Sequence, residues 1–271
     1  MHGRIAALYR HPVKGFTPEP LTRVRLEAGG FFPADRMFAL ENGPSGFDET
    51  DPRHVSKFAF AVLATLPQLV KAKTWFDEGK GVLHVSADGG RHAALPLSTA
   101  QGRQAFADWV EGFLGKDIVD GPLKLRLAPG HRFTDHAQGH VSLINLASLR
   151  ELEARIGVTV DPLRFRANLH VDGWPAWAEL DLAKGHLMAA GPARLKGFRR
   201  TIRCIATHAD PETGERDIDL CGALMAHYGH AYFGVYLNVA EGGEIVVGDS
   251  ALTEYEPTSE LNLAPAPKPG Q

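Results

Sequence analysis

The sequence predicts a mainly β protein with a few helices (β/α+β), arranged as barrels rather than as a doubly wound sheet. Two observations carry this prediction. Short apolar or alternating runs of four to six residues recur along the chain and are separated by turn residues such as Gly29-Gly30, Asp88-Gly89-Gly90 and Gly242-Gly243. Only three stretches show the spacing of an amphipathic helix, too few to cover both faces of a parallel sheet.

Taken in order, Arg4 to Arg10 is a short, partly alternating run ended by His11-Pro12, and Leu21 to Leu26 alternates as a strand with one wet face does. Arg36 to Leu40 reads as a third strand, and Gly43 to Pro52, rich in Gly, Pro and acids, as a loop. Val82-Leu83-His84-Val85 and Ala93-Ala94-Leu95 flank a hairpin turn at Asp88-Gly89-Gly90. The first helix places Phe106, Trp109, Val110, Phe113 and Leu114 on one face, with Ser98 and Gln101 as a capping box and Gly115 as its stop. The second carries Leu149, Leu152 and Ile156 between an Asn145 cap and a Gly157 stop. The third runs from about Asp217 to Tyr228, with Leu220, Cys221, Leu224 and Met225 inward and Gly229 as stop. Strands return at Asn168 to Val171, Gly234 to Val239 and Glu244 to Val247, the last two joined by Gly242-Gly243 as a tight turn. Pro257 to Gln271 holds four prolines and little apolar content, which predicts disorder.

Composition narrows the function. A net charge of −3 gives no whole-chain attraction to nucleic acid or acidic membranes, and the aromatic residues do not interleave with basic ones as a base-stacking platform requires. The N-terminus lacks a long apolar stretch behind its basic residue, and the run Phe58 to Leu66 is too short to span a bilayer, so a cytoplasmic protein is expected. Two cysteines make neither a disulfide framework nor a CxxC pair. No GxGxxG, P-loop or GxSxG is present, which leaves nucleotide and serine-hydrolase readings without support. His136 and His140 have the i, i+4 spacing of zinc ligands, but Gly139 weakens helix there and no acidic third ligand has the expected spacing.

Cys204 is the most informative residue. It follows Arg199, Arg200 and Arg203 and precedes the turn Asp210-Pro211-Glu212-Thr213-Gly214. Neighbouring guanidinium groups favour a thiolate over a thiol, and a thiolate is both a nucleophile and a soft metal ligand. The planar forks of the same arginines match phosphate oxygens. A soft ligand beside an anion site suits a metal carried by a phosphorylated organic cofactor. The competing reading is a buried packing cysteine, which is the role expected for Cys221. Lys14, Arg36, Arg164 and Arg166 are further cationic points; each alone reads as a solvated surface charge, and sequence gives no reason for them to converge.

Taken together, Tyr9-Arg10-His11-Pro12-Val13-Lys14, Asp35-Arg36, Arg164-Phe165-Arg166-Ala167-Asn168, Trp177-Ala178-Glu179, Arg203-Cys204, Asp210-Pro211-Glu212-Thr213-Gly214, Phe233-Gly234-Val235-Tyr236 and Val247-Gly248-Asp249 resemble the MOSC family, named for the C-terminal domain of molybdenum cofactor sulfurases. The subgroup they are most similar to is the amidoxime-reducing components and their bacterial relatives. The resemblance runs from about residue 2 to residue 254. It implies an N-terminal MOSC β-barrel domain over 1–120, a MOSC β-barrel domain over 130–256 and a tail over 257–271. It implies a molybdenum cofactor (molybdenum-molybdopterin) in the cleft between the domains, with Cys204 as the metal ligand and Tyr236 near the metal. Lys14, Arg36, Arg166, Asn168 and Arg203 would hold the pterin and its phosphate. The activity implied is two-electron removal of oxygen from an N-hydroxylated small molecule, with electrons from a separate donor protein. The alternative is a sulfur or cofactor carrier that uses Cys204 as a persulfide site. The chain departs from the family pattern at Gly15, where a serine is usual, at Thr201, where a cysteine often stands, at Ile202, at Ala167 and at His208. These departures bear on substrate choice. No cysteines remain for an iron–sulfur domain.

Overall fold

In the computed structural model, residues 1–115, 120–138 and 141–255 are described. Among them the strands are β1 (His2–Arg10), β2 (Glu19–Leu21), β3 (Arg23–Leu26), β4 (Phe38–Asn42), β5 (Lys73–Asp77), β6 (Val82–Ala87), β7 (Arg91–Pro96), β8 (Leu123–Leu127), β9 (Val141–Asn145), β10 (Leu169–Asp172), β11 (Leu187–Ala190), β12 (Ala193–Ile202), β13 (Tyr232–Glu241), β14 (Gly243–Val246) and β15 (Ser250–Thr253). The α-helices are α1 (Ala100–Leu114), α2 (Leu146–Ile156) and α3 (Leu220–Tyr228). The mainly β class is what the sequence predicts.

Seven strands close into a barrel in the order β10-β9-β13-β12-β11-β15-β1, and β1 pairs back onto β10. Closure leaves no free edge along the ring, apart from β2 hydrogen-bonded beside β1. Six of the strands come from residue 141 onward, and the seventh is the beginning of the chain. β1 can serve several neighbours because it is long and bulged between Ile5 and Ala7: residues 2–4 pair with β15, and residues 8–10 with β2. Ile5, Leu8, Leu143, Leu169, Leu195, Val235 and Leu237 fill the interior, each 0–1% exposed. β9 and β10 run parallel, and every residue of β9 is buried. A strand covered on both faces shows no alternation, which is why sequence periodicity passed over it.

The N-terminal layer packs on a second core. The meander β5-β6-β7, the pair β4-β8 and α1 enclose Phe16, Phe38, Leu69, Leu83, Leu97 and Phe106. α1 buries Phe106, Val110 and Leu114, leaving Trp109 and Phe113 half-buried. Its cap is Thr99, whose hydroxyl accepts from the Gly102 amide, rather than Ser98. α2 follows the sequence reading, with the Asn145 side chain accepting from Ala147 N and Gly157 in the left-handed region. α2 and α3 join a third core with Phe165, Trp177 and Phe233.

Some expectations are corrected. The run Leu21 to Leu26 breaks at Thr22, whose carbonyl takes a hydrogen bond from Val247 N, so β2 and β3 serve different sheets. Gly242-Gly243 is not a hairpin turn: β13 pairs with β9 and β12, whereas β14 pairs with β3. Arg36 lies just before its strand, at φ 46°. α3 starts at Leu220 and is capped by Asp219; Met225, expected inward, is 53% exposed, and Cys221 is half-buried. The tail read as disordered lies outside the described residues, as does His140. Among the described residues no helix is long and apolar enough to cross a membrane.

Candidate functional site

The cleft between the N-terminal layer and the barrel has a volume of about 790 Å3, open solvent at its mouth included. Lys14, Arg36, Arg166, Arg203, Cys204 and Tyr236 all line it, although the chain separates Lys14 from Tyr236 by more than 200 positions. Asn168 is the exception. Its carboxamide is fully buried behind the wall, accepting from Ser142 N and Oγ and donating to Tyr9 O, so it ties β9 and β1 together at the start of β10.

Cys204 lies two residues past the end of β12 and caps a 3-10 turn over Ile205–His208. Its carbonyl accepts from both the amide and the hydroxyl of Thr207, which fixes the backbone. Beyond it, the Asp210 carboxylate accepts from the amides of Glu212 and Thr213. Gly214 (φ +74°) lies so close to the N-terminal layer that a Cβ would stand 2.7 Å from Pro67 O. Arg216 reaches Ala64 O. Buried Arg164 clamps this segment, donating to His208 O, Asp210 and Asp217. The Asp-Pro-Glu-Thr-Gly turn therefore presses the cysteine against the other layer.

The arginine forks are held by carbonyls. Arg36 donates to Arg166 O at 2.8 Å and to the Asp35 carboxylate at 2.5 Å. Burial works against the charge of Asp35, but Arg36 and His11 outweigh it and hold the carboxyl well below its usual range. Arg166 donates Nη1 to Phe16 O at 2.7 Å, and Arg203 donates Nε to Phe233 O and Nη1 to Phe165 O. The Nη2 atoms of both Arg166 and Arg203 are buried without a partner. Burial is the main reason their pKa values fall to about 9 and about 10. Arg36 and Arg166 both adopt positive φ, 46° and 52°, a conformation that costs a non-glycine residue about 1 kcal/mol or more and persists where the surroundings enforce it. Gly234 makes room for Arg203: a Cβ there would sit 2.3 Å from Leu143 O and 3.2 Å from Arg203 Nη2.

Lys14 Nζ donates to Phe133 O at 2.8 Å and to Asp135 at 2.5 Å. Burial lowers its pKa, with Asp135 opposing. Tyr236, on β13, keeps its proton because burial and the nearby Asp135 charge both raise its pKa. Lys57 was not anticipated. It arrives from a 3-10 turn 147 residues before the cysteine and places Nζ 3.2 Å from Cys204 Sγ. Burial disfavours its charge, but Asp135 and Cys204 together raise its pKa. No periodicity or motif marks this lysine, and only the fold brings it to the sulfur.

The residues of two domain models match almost end to end. Residues 2–120 match the MOSC N-terminal beta barrel domain and residues 129–251 the MOSC domain. The chain is a MOSC-domain protein. The fold of this MOSC protein is similar to that of the YUAD protein from Bacillus subtilis (TM-score 0.44, 14% identity, 94% of this chain and 98% of that one). It is also similar to YiiM from Geobacillus stearothermophilus (TM-score 0.34, 20% identity, 42% of this chain and 54% of that one). No curated protein matches the chain.

The cleft of this MOSC protein fits a phosphorylated metal cofactor. Three arginines lining the cleft, Arg164, Arg166 and Arg203, each have a buried guanidinium nitrogen with no protein acceptor among the described residues, and Nη2 of Arg166 and Arg203 is the arrangement an anionic group would satisfy. Among the described residues no three His, Cys, Asp or Glu side chains converge on one point. A metal bound at Cys204 would therefore take one soft protein ligand and draw its others from an organic carrier. Gly15, where the family serine is usual, has φ +87°, and a Cβ there would stand 2.5 Å from Ala61 O. The backbone thus excludes the serine for a local steric reason.

Proposed function

We propose that this protein binds the molybdenum cofactor in the cleft and reduces N-hydroxylated small molecules. The observation that carries the reading is the pair of orphaned guanidinium donors, Arg166 Nη2 and Arg203 Nη2, in the same cleft as the Cys204 thiol. Cys204 Sγ would ligate the metal, and Arg166, Arg203 and Arg36 would offset the charge of the pterin phosphate, with Lys14 beside them. Asn168 acts at one remove in this scheme, holding the strands that carry the cleft wall. When bound, the cofactor would supply the two-electron couple.

The chain's own part is to bind and to supply a proton. Tyr236, protonated and lining the cleft, would hydrogen-bond the substrate oxygen in this scheme. In the net reaction the N–O bond breaks, two electrons arrive from a separate donor protein, two protons are taken up, and the oxygen leaves as water.

The test is elemental analysis of the wild type and Cys204→Ser, both produced in a host with intact molybdenum-cofactor synthesis. The wild type should retain molybdenum and reduce an N-hydroxylated amidine with reduced viologen as donor, but show negligible turnover with reduced nicotinamide alone. Cys204→Ser should lose metal and turnover with its fold intact. Full molybdenum and full activity in Cys204→Ser would overturn the assignment, and sulfane sulfur on Cys204 without molybdenum would establish the carrier alternative instead.

A further inference from the structure

The cations of the cleft are not equivalent. Lys14 is matched by Asp135, Arg36 by Asp35, and Arg164 by Asp210 and Asp217. Arg166 and Arg203 are braced by carbonyls and face the anion site described above. Lys57 differs from all of these. Among the described residues no carboxylate oxygen lies within 4.0 Å of its Nζ; Asp135 acts on it only through space while pairing directly with Lys14, and its hydrogen-bond contact is the sulfur itself, at 3.2 Å. It is half-buried and stands on a short turn of the N-terminal layer, not on a barrel strand.

Asp135, Cys204 and Tyr236 act electrostatically on this ammonium, and exposed apolar side chains stand at the same end of the cleft: Ile202 lines it together with Lys57. Phe58, Ile202 and Ile205 are 59%, 58% and 43% exposed. Phe58 follows Lys57 directly, and the two isoleucines lie within two residues of Cys204. Lys57 Nζ also sits 5.6 Å from the centre of the Phe58 ring. Apolar side chains left in water near a charged point form a surface complementary to a molecule with an apolar body and a negative group. Once Cys204 is engaged by a bound ligand, the ammonium is left to neutralise whatever lies next to the sulfur.

We propose that Lys57 is a specificity-determining residue, and that the cleft selects substrates carrying an anion, such as a carboxylate, on an apolar or aromatic body. The substrate class rests on the reductase reading above, but the charge selectivity at Cys204 does not, and the two are tested separately.

The first measurement uses full-length cofactor-free protein and reads alkylation of Cys204 by anionic iodoacetate and neutral iodoacetamide, with peptide mass spectrometry separating Cys204 from Cys221. The ratio of the two rates should fall about three- to tenfold in Lys57→Met, as expected for removing one charge beside a partly solvated group, and return in Lys57→Arg. An unchanged ratio in Lys57→Met overturns the proposal whatever the enzyme does. The second measurement uses molybdenum-loaded protein and compares kcat/KM for an N-hydroxylated benzamidine bearing a para-carboxylate with that for its para-carboxamide. That preference should fall by a similar factor in Lys57→Met. Turnover with no change in preference overturns the substrate class. A changed alkylation ratio with no turnover of either compound sustains Lys57 as an anion selector and removes the reductase reading.

Discussion

Replacing Arg166 with methionine should make the cofactor-free protein more stable while abolishing its anion site. Arg166 is buried enough that desolvation, reinforced by the charge of Arg36, brings its pKa down from the usual guanidinium range to about 9. A fall of that size opposes the charged form by roughly 4–5 kcal/mol. Two effects reduce what methionine can recover. The residue keeps some contact with water at the cleft, which screens the penalty. The substitution also leaves Phe16 O without its donor, at a cost of about 1–2 kcal/mol. The net expectation is a gain of about 1–2 kcal/mol, within the range seen when buried charges give way to apolar groups. The pH dependence has a definite sign. The native pKa lies below the unfolded one, so the penalty is complete below pH about 9 and fades as pH rises above that value, because the unfolded chain then holds the proton that the native state has shed. Urea denaturation of the cofactor-free protein at pH 7 and pH 8 should therefore show the same advantage for Arg166→Met, and the advantage should shrink above pH 9. Inorganic phosphate should raise the midpoint of the wild type and leave that of the variant unmoved. A variant less stable than the wild type, or one that still responds to phosphate, would refute the argument that Arg166 is held in the cleft for an anion.

Two further outcomes follow from the same physics. Glu179 is fully buried, accepts from Ser148 Oγ and Asn145 Nδ2, and is pushed up to about 7 chiefly by burial. Its native pKa exceeds its unfolded one, so it erodes stability as pH rises from about 4.5 to about 7. Glu179→Gln, which keeps an acceptor oxygen, should remove that slope and gain roughly 1–3 kcal/mol above pH 7 in denaturant titrations. Gly15→Ser should lose about 2–4 kcal/mol by thermal or urea unfolding, because serine must take φ +87° against Ala61 O; a neutral result would show that the Lys14-Gly15 turn can relax.

The sequence alone determined those features that depend on local pattern. Asn145 and Gly157 bracket α2 because a short polar side chain caps an exposed amide and glycine tolerates the left-handed exit, both properties of single residues. Cys204 was legible because Arg203 beside it in the chain also lines the cleft, whereas Arg199 and Arg200, read as part of the same anion site, turn to His136 and to Leu180 O. Other elements were hidden because their cause is not local. β9 is covered on both faces and shows no alternation, and the basic residues of β12 concealed a ten-residue strand. Met225 has the spacing of a core residue, yet it is 53% exposed.

Only the tertiary structure decided which cations act together. In sequence, Lys14, Arg36 and Arg166 are unrelated surface charges, and Lys57 carries no signal at all. Barrel closure through β1 places residues from the beginning of the chain beside the strand that delivers Cys204. The left-handed backbones at Arg36 and Arg166 turn their forks into the cleft, and the cleft wall consumes Asn168 as a brace. Charges in water are nearly independent of one another, but once a fold desolvates them within one cleft their energies are coupled, and that coupling follows from distances no linear sequence contains.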